Sequence, residues 1–325
     1  MTVETITARA GANIALIKYW GKRDVQLNLP AAGSLSITLA GLETQTTLTA
    51  DASLERDELV LDGRPVDANR VGRFLDLVRD LAGEGPFCRV ESRNSFPTGA
   101  GLASSASAFA ALAKAANRLF DLDLSQSRLS ELARRGSGSA ARSIFGGFVE
   151  MHAGIEPDGS DCVASPLLAA ADWPLEVVVA ITDTEAKKIS STEGMTRTMQ
   201  TSPYYPAWVE SVSDDLQDAR SAISGRDFEK LADIAEFSAL KMHASALAAR
   251  PGLLYWNGAT VACMQRVREL RDEGIGVFFT IDAGPQVKAV CESDSARRVS
   301  AVLEAVPGVR QVIRTGLGEG ARVDS

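Results

Sequence analysis

The chain has 325 residues, 45% of them hydrophobic and 23% charged, and a formal net charge of −8. This is the composition of a globular protein long enough for about two domains, and the negative balance argues against a general affinity for nucleic acid or an anionic membrane surface. With His152 and His243 the only histidines, a histidine metal site and a Ser-His-Asp triad are disfavoured too.

No apolar run reaches spanning length, and the opening MTVETITARAG lacks a signal-peptide core, so a cytoplasmic protein is expected. Cys88, Cys162, Cys263 and Cys291 form no CxxC pair and read as buried free thiols. In chain order, β-rich runs come first, at 5–10, 15–19, 34–39, 44–49 and 58–61, each interrupted by Gly, Pro, Asn or Asp. A helix is predicted over 69–82, with Val71, Phe74, Leu75, Val78 and Leu81 on one face. Residues 87–93 read as a strand feeding the glycine-rich FPTGAGLASSASA, 96–108. Leu102, Ala106, Phe109, Ala113, Ala116 and Phe120 then keep helical spacing, so the glycine turn empties into a helix N-terminus. A helix over 125–134 precedes a second small-residue run, RRGSGSAARSIFGGFVEM. A continuous apolar strand at 175–181 leads into a polar, turn-rich stretch over 182–206. The domain boundary is drawn there, giving an N-terminal lobe of 1–185 and a C-terminal lobe of 186–325. Helices over 207–223, 227–249, 258–273 and 294–306 and strands at 275–281 and 311–315 complete the chain. Elements segregated in this way predict an α+β pair of lobes with an active site between them.

Five runs carry the chemistry. At the mouth of the 102–120 helix, unpaired N–H groups and the positive end of the dipole favour an anion. Glycines let the backbone approach it, and Ser104, Ser105 and Ser107 offer hydroxyls to phosphate oxygens or a metal ion. The lysine of a Walker loop is missing, and a glycine turn before a small-residue core helix is the plainer alternative. GSGSAARS repeats the device: Ser137, Gly138 and Ser139 precede a turn carrying Arg142, which is either a surface charge or a fork for a carboxylate or phosphate. In FFTIDAGP a buried strand delivers Asp282 to a turn, where a carboxylate can take a proton from a substrate hydroxyl or simply bond the turn. In NIALIKYWGKRD, Lys18 sits inside an apolar, aromatic strand and needs an anion or a route to water; Tyr19, Lys22 and Arg23 follow it. TEAKKISSTEGM adds Lys187, Lys188, Ser190, Ser191 and Thr192, as a loop closing over phosphates or as a linker.

IKYWGKRDVQLNLP, FPTGAGLASSASAFAAL, GSGSAARSIFGGFVE, KKISSTEGM and IDAGPQVK occur in the order found in diphosphomevalonate decarboxylases of the GHMP kinase superfamily, and from Thr7 to Lys288 the chain resembles that family. The resemblance implies a two-lobed GHMP-kinase-like fold whose N-terminal lobe is ribosomal S5 domain 2-like. It also implies ATP- and magnesium-dependent decarboxylation of mevalonate 5-diphosphate to isopentenyl diphosphate, through transient phosphorylation of the 3-hydroxyl. By matched position, Asp282 would orient or deprotonate that hydroxyl, Lys18 would lie beside it, and Arg142 would grip the carboxylate that is lost. Gly99, Gly101, Leu102, Ala103, Ser104, Ser105, Ser107 and Ser139 would surround the nucleotide, with Ser105 and Ser107 near the magnesium. Tyr19, Lys22, Arg70, Ser139, Arg142 and Ser191 would surround the substrate. A cytoplasmic homodimer acting on a small molecule, with no nucleic-acid or membrane partner, is implied as well. Ala141, Arg135 and Gln286 depart from residues usual in the family without removing a matched charge. The alternatives are a decarboxylase of the 5-monophosphate, a kinase of the same superfamily that stops after phosphorylation, and a silent nucleotide or isoprenoid sensor. Lys18 together with Asp282 favours full decarboxylation.

Overall fold

The computed structural model describes residues 4–96, 104–185 and 188–324. Gly99, Gly101, Leu102, Ala103 and Lys187 therefore lie outside the described residues.

Two long strands, β1 (Thr5–Ile17) and β4 (Ser34–Ala50), pair antiparallel from Thr5↔Thr49 to Ile17↔Leu35. Where the spacing predicts two strands in each, one runs through, because register shifts at Gly11/Asn13 and Ala15/Ile17 absorb the irregular residues. Gly11 has no room for a side chain, since a Cβ there would lie 2.6 Å from the Leu39 carbonyl oxygen. A short hairpin, β2 (Lys22–Asp24) and β3 (Leu29–Pro30), connects the two strands. A second hairpin, β5 (Glu58–Leu61) and β6 (Arg64–Val66), leads into α1 (Asn69–Ala82). The α1 bounds match those predicted and Val71, Phe74, Leu75 and Val78 are buried, but Leu81 is half exposed at the last turn, where the helix ends on left-handed Gly83.

The N-terminal lobe continues through β7 (Cys88–Asn94), α2 (Ser104–Leu119), α3 (Gln126–Gly136), the single turn α4 (Ala140–Ser143), β8 (Phe148–Met151) and β9 (Ala164–Leu168). The C-terminal lobe comprises β10 (Glu176–Ile181), α5 (Ser191–Thr201), α6 (Tyr205–Gly225), α7 (Phe228–Leu247), α8 (Gly258–Asp272), β11 (Val277–Ile281), β12 (Val287–Cys291), α9 (Ala296–Glu304) and β13 (Gln311–Gly316). A last strand, β14 (Arg322–Val323), returns to the first lobe and pairs with β1. Among the described residues the first sheet runs β14-β1-β4-β7-β5-β6, with β8 and β9 extending from β4, and the second runs β11-β12-β10-β13.

The boundary falls earlier than predicted. β10 pairs with β12 and β13, so it belongs to the second sheet, and the lobes divide between Leu168 and Glu176 rather than at 185/186. An apolar strand announces its burial but not the sheet it joins. The 182–206 stretch is also not all turn: α5 starts at Ser191, capped by the Ser190 hydroxyl accepting from the Glu193 amide at 3.1 Å. Thr196, Thr198 and Thr201 turn their hydroxyls back onto carbonyls four residues earlier, which hides the helix in a polar sequence.

The layers explain the hydrophobic pattern. One face of the first sheet packs on α1, α2 and α3, through Leu48, Val90, Phe74, Phe109 and Leu129. Its other face shares a core with the α6–α7 hairpin and the second sheet, joining Ile14, Leu16 and Ile37 to Leu231, Ala235, Val177, Val179 and Phe278. Val178, Ala180 and Phe279 point the opposite way, onto Cys263, Val267 and Val299 of α8 and α9. β10 is buried on both faces, which is why it reads as an uninterrupted apolar run. All four cysteines are buried and free, and no helix among the described residues is long and apolar enough to cross a membrane.

Candidate active site

A cleft of about 390 Å³ opens between the lobes. Into it converge the residues after β1 (Lys18, Tyr19), the N-terminus of α2 (Ser104, Ser105), the 137–142 turn, the N-terminus of α5 (Ser190, Ser191, Thr192) and the end of β11 (Asp282).

Its floor is ionic. Asp282, with 27% of its side chain exposed, receives Lys18 Nζ on Oδ1 at 2.8 Å and Lys288 Nζ on Oδ2 at 3.1 Å. Lys18 also donates from Nζ to the Ala15 carbonyl at 2.8 Å, and its backbone amide donates to Ser238 Oγ at 3.1 Å. Burial pulls the Lys18 ammonium down to about 8 against the opposing pull of Asp282. Burial pushes the Asp282 carboxyl up, but the two ammonium groups outweigh it and hold it well below the usual carboxylate range.

Beside this cluster Arg142 is buried in the single turn after GSGSA. Its Nη1 donates to Ser34 Oγ at 2.6 Å and its Nη2 to Asn13 Oδ1 at 3.3 Å, while Nε is buried without a partner. Asn13 is held in turn by donating to Ser143 Oγ and the Ser139 carbonyl. Among the described residues Arg142 makes no ion pair with a carboxylate. Burial lowers it to about 10, so it stays a cation near neutral pH. A buried, partly unsatisfied guanidinium is costly alone and fits an arriving anion. Tyr19 adjoins it with a buried hydroxyl that lacks a partner. Burial drives that phenol far above its ordinary range, so it serves as an O–H donor. Gly138 allows the contact, since a Cβ there would meet Tyr19 Oη at 2.2 Å.

At the other end of the cleft lie Lys22 and Arg70. Lys22 Nζ donates to Asn28 Oδ1 at 2.6 Å, and Asn28, in the left-handed region at φ 53°, donates to the Arg135 carbonyl at 2.8 Å. Arg70 donates to the Gly136 carbonyl at 2.9 Å and stacks 4.7 Å above Phe109. Burial lowers Lys22, and Arg70 nearby lowers it further, a repulsion that an anion between them would relieve. Ser105 and Ser137 approach to 3.3 Å, bringing the two small-residue turns together.

Most predicted positions thus meet in one place: Lys18, Tyr19, Lys22, Arg70, Ser104, Ser105, Ser139, Arg142, Ser191 and Asp282 all line the cleft. Ser107 does not. It is fully buried, its hydroxyl 2.6 Å from Thr44 Oγ1 and donating to the Ser104 carbonyl, which corrects its assignment to the nucleotide and the metal. Arg23 ties a loop through the Ala153 and Glu156 carbonyls instead of entering the cleft. Sequence reasoning passed over Asn13, Asn28, Ser34 and Lys288. Lys288 carried the same signal as Lys18, a lysine inside a buried apolar strand, VKAVC. Also unforeseen is an apolar cavity of about 480 Å³ that shares Arg70, Ser104 and Ser105 with the cleft and is walled by Leu59, Leu61, Val66, Val90 and Phe109. Its sequence signal is the β5–β6 hairpin, where Leu61 and Val66 stay exposed.

Comparison with known proteins gives the family. The diphosphomevalonate decarboxylase-like N-terminal domain matches residues 10–164, and the mevalonate 5-diphosphate decarboxylase C-terminal domain matches 177–320. The chain belongs to the diphosphomevalonate decarboxylase family. The two matches meet across the boundary that the sheets define. Diphosphomevalonate decarboxylase from Aspergillus fumigatus is 37% identical over 94% of this chain and 81% of its own length. Among solved structures, mevalonate diphosphate decarboxylase from Enterococcus faecalis is 40% identical, with a TM-score of 0.91 and 100% of both chains covered. A complex of MDDEF with MVAPP, AMPPCP and magnesium superposes at a TM-score of 0.92, also at 40% identity and with 100% of both chains covered. The α+β architecture of this diphosphomevalonate decarboxylase family member is accordingly the two-lobed GHMP-kinase-like fold, and the chain is a decarboxylase, a carbon–carbon lyase.

Proposed function

We propose that the cleft converts mevalonate 5-diphosphate and ATP to isopentenyl diphosphate, carbon dioxide, ADP and phosphate. Asp282, Lys18 and Arg142 serve the C3 end of the substrate, and Tyr19, Lys22, Arg70, Ser139 and Ser191 serve its diphosphate. The observation that carries the reading is Arg142, a buried guanidinium without an acidic partner among the described residues, set beside a carboxylate already claimed by two lysines. Arg142 fits the carboxylate that any mevalonate-type substrate carries, so release of carbon dioxide is what separates this reading from a kinase that stops at phosphorylation.

As the 3-hydroxyl oxygen bonds to the terminal phosphorus and the P–O bond to ADP breaks, Asp282 takes the hydroxyl proton and passes it to the phosphoryl oxygens, which carry it away with the phosphate, so the carboxylate is ionised again before the C–O bond breaks. Lys18 balances the charge that gathers on the transferring oxygens. Once the phosphorylated oxygen departs with its bonding pair, positive charge develops at the tertiary carbon, and the Asp282 carboxylate faces it. Arg142 holds the substrate carboxylate until the C–C bonding pair moves into the new double bond and carbon dioxide leaves.

The N-terminus of α2, with Ser104 and Ser105, lies between the cleft and the apolar cavity, a position suited to nucleotide phosphates with the base in the cavity. No group of three His, Cys, Asp or Glu among the described residues could cage a metal ion. Magnesium keeps waters and binds chiefly through substrate phosphates, and Ser105 would be the protein hydroxyl to hold it here. Bound there, magnesium supplies charge neutralisation on the phosphates. The homodimer and the cytoplasmic location belong to the same proposal, and a two-chain mass by light scattering checks the first.

Incubation with ATP, magnesium and, separately, mevalonate, its 5-phosphate and its 5-diphosphate, with ADP and carbon dioxide both measured, tests the whole. ADP without carbon dioxide would make the protein a kinase, and no ADP at all would make it a sensor. Because Lys22 and Arg70 set two cations at the far end of the cleft, kcat/KM should be higher for the 5-diphosphate than for the 5-monophosphate. The advantage should shrink as salt screens those charges. Equal or better kinetics with the monophosphate would transfer the assignment to that substrate.

The pH profile carries a further expectation. Lys18 must be protonated to pair with Asp282, and burial has lowered it to about 8. Activity should hold below that pH and decline as pH rises through it. In the K18R variant, whose guanidinium does not titrate in this range, the residual activity should lose this alkaline limb; a limb unmoved in K18R would belong to another group.

A further inference from the structure

Lys288 sits in the middle of β12, in register with Thr280 of β11 on one side and Val179 of β10 on the other. A lysine inside a four-stranded sheet is costly unless its charge is paired and hydrogen-bonded. Only 1% of this side chain is exposed, and its strand neighbours Val287 and Ala289 belong to the apolar core behind the sheet. Its Nζ lies 3.1 Å from Asp282 Oδ2, whereas Lys18 takes Oδ1. Each carboxylate oxygen thus has its own ammonium group, Lys18 from the first lobe and Lys288 from the second. Lys18 alone would be a loose tether, because it divides its hydrogen bonds between Asp282 and the Ala15 carbonyl, which also accepts from Thr280 Oγ1 at 3.0 Å. A carboxylate held at one oxygen can still swing about its Cβ–Cγ bond; held at both, it has one plane. Lys288 is not among the residues that line the cleft, and its ion pair with Asp282 is what links it to the reacting end.

We propose that Lys288 is a positioning residue, fixing the Asp282 carboxylate from behind so that its open face meets the reacting hydroxyl in a single orientation. The assignment rests on the role of Asp282 proposed above. Among the described residues, the charged or titratable groups that act on Asp282 are Lys18 after β1, Arg142 on α4, His243 on α7 and Lys288 on β12. Burial already disfavours the ionised carboxyl, so losing one ammonium moves its protonation to higher pH.

In K288M, kcat should fall about 10²-fold, the scale for a misplaced catalytic group, with KM for either substrate nearly unchanged and the acid limb of the rate profile moved to higher pH. K288R should recover most of the rate and return the limb. A merely structural lysine would lower the melting temperature of K288M and leave the pH profile where it was, and that result overturns the proposal. If K288M does not fold, the double variant D282N/K288M, which removes both charges, decides the matter: recovered folding supports the pairing, and equal failure overturns it. D282N alone separates the two readings. Normal turnover in D282N removes the role of Asp282 itself, whereas an inactive D282N beside a K288M of wild-type rate and profile sinks only the inference about Lys288.

Discussion

Asp282→Asn should leave a folded protein that binds ATP yet forms ADP and carbon dioxide more slowly by about 10²- to 10⁴-fold, the range for loss of a group acting on the transferred proton. Asparagine keeps the shape of the side chain and removes only the charge. The loss therefore isolates what an ionised carboxylate does at the end of β11: it accepts from the 3-hydroxyl and later faces the cationic carbon. The substitution also leaves Lys18, Lys288 and Arg142 around a neutral amide. A lower melting temperature should accompany the lost rate, because two ammonium groups and a guanidinium then share a buried site without an anion. Single-turnover ADP release and nucleotide binding, measured on the same preparation, separate catalysis from folding. Turnover above about a tenth of wild type would mean that Asp282 only shapes its turn.

Arg142→Gln should act on substrate affinity. The glutamine amide ends near the position of Nε, short of Ser34 and Asn13, so the charge offered to the substrate carboxylate goes together with those two hydrogen bonds. A hydrogen bond to a charged group contributes about 1.5 to 3 kcal/mol. Calorimetric titration with the 5-diphosphate should show a loss of that size, with ATP affinity unchanged. The opposite pattern, weaker ATP and intact substrate binding, would move Arg142 to the nucleotide.

What the sequence disclosed, and what it withheld, follows from the range of the physics involved. Lys18 could be singled out because a lysine within an apolar strand is a local anomaly, but its partner lies 264 residues away, beyond any spacing rule. The small-residue turns were legible because glycine and hydroxyl residues before a helix are a local signal. Ser107 was misplaced because the same signal says nothing about helical phase: two residues beyond Ser105 is a rotation of about 200°, which turns the hydroxyl inward to Thr44. The α1 helix was read to the residue from its apolar period. The α5 helix was not, because its threonines serve as their own hydrogen-bond partners and mask the period. The apolar cavity above Phe109 exists only once the β5–β6 hairpin is folded beside α1 and α2.

The core that joins the first sheet, the α6–α7 hairpin and the second sheet leaves neither lobe complete without the other. The chain also crosses between them twice, after β9 and again before β14, which closes back onto β1. Two halves welded in this way cannot part like jaws, because separating them would bring Ile14, Leu231 and Phe278 into water together. The Lys18–Asp282 contact, which straddles the weld, is therefore held in place by the same buried core that joins the two lobes.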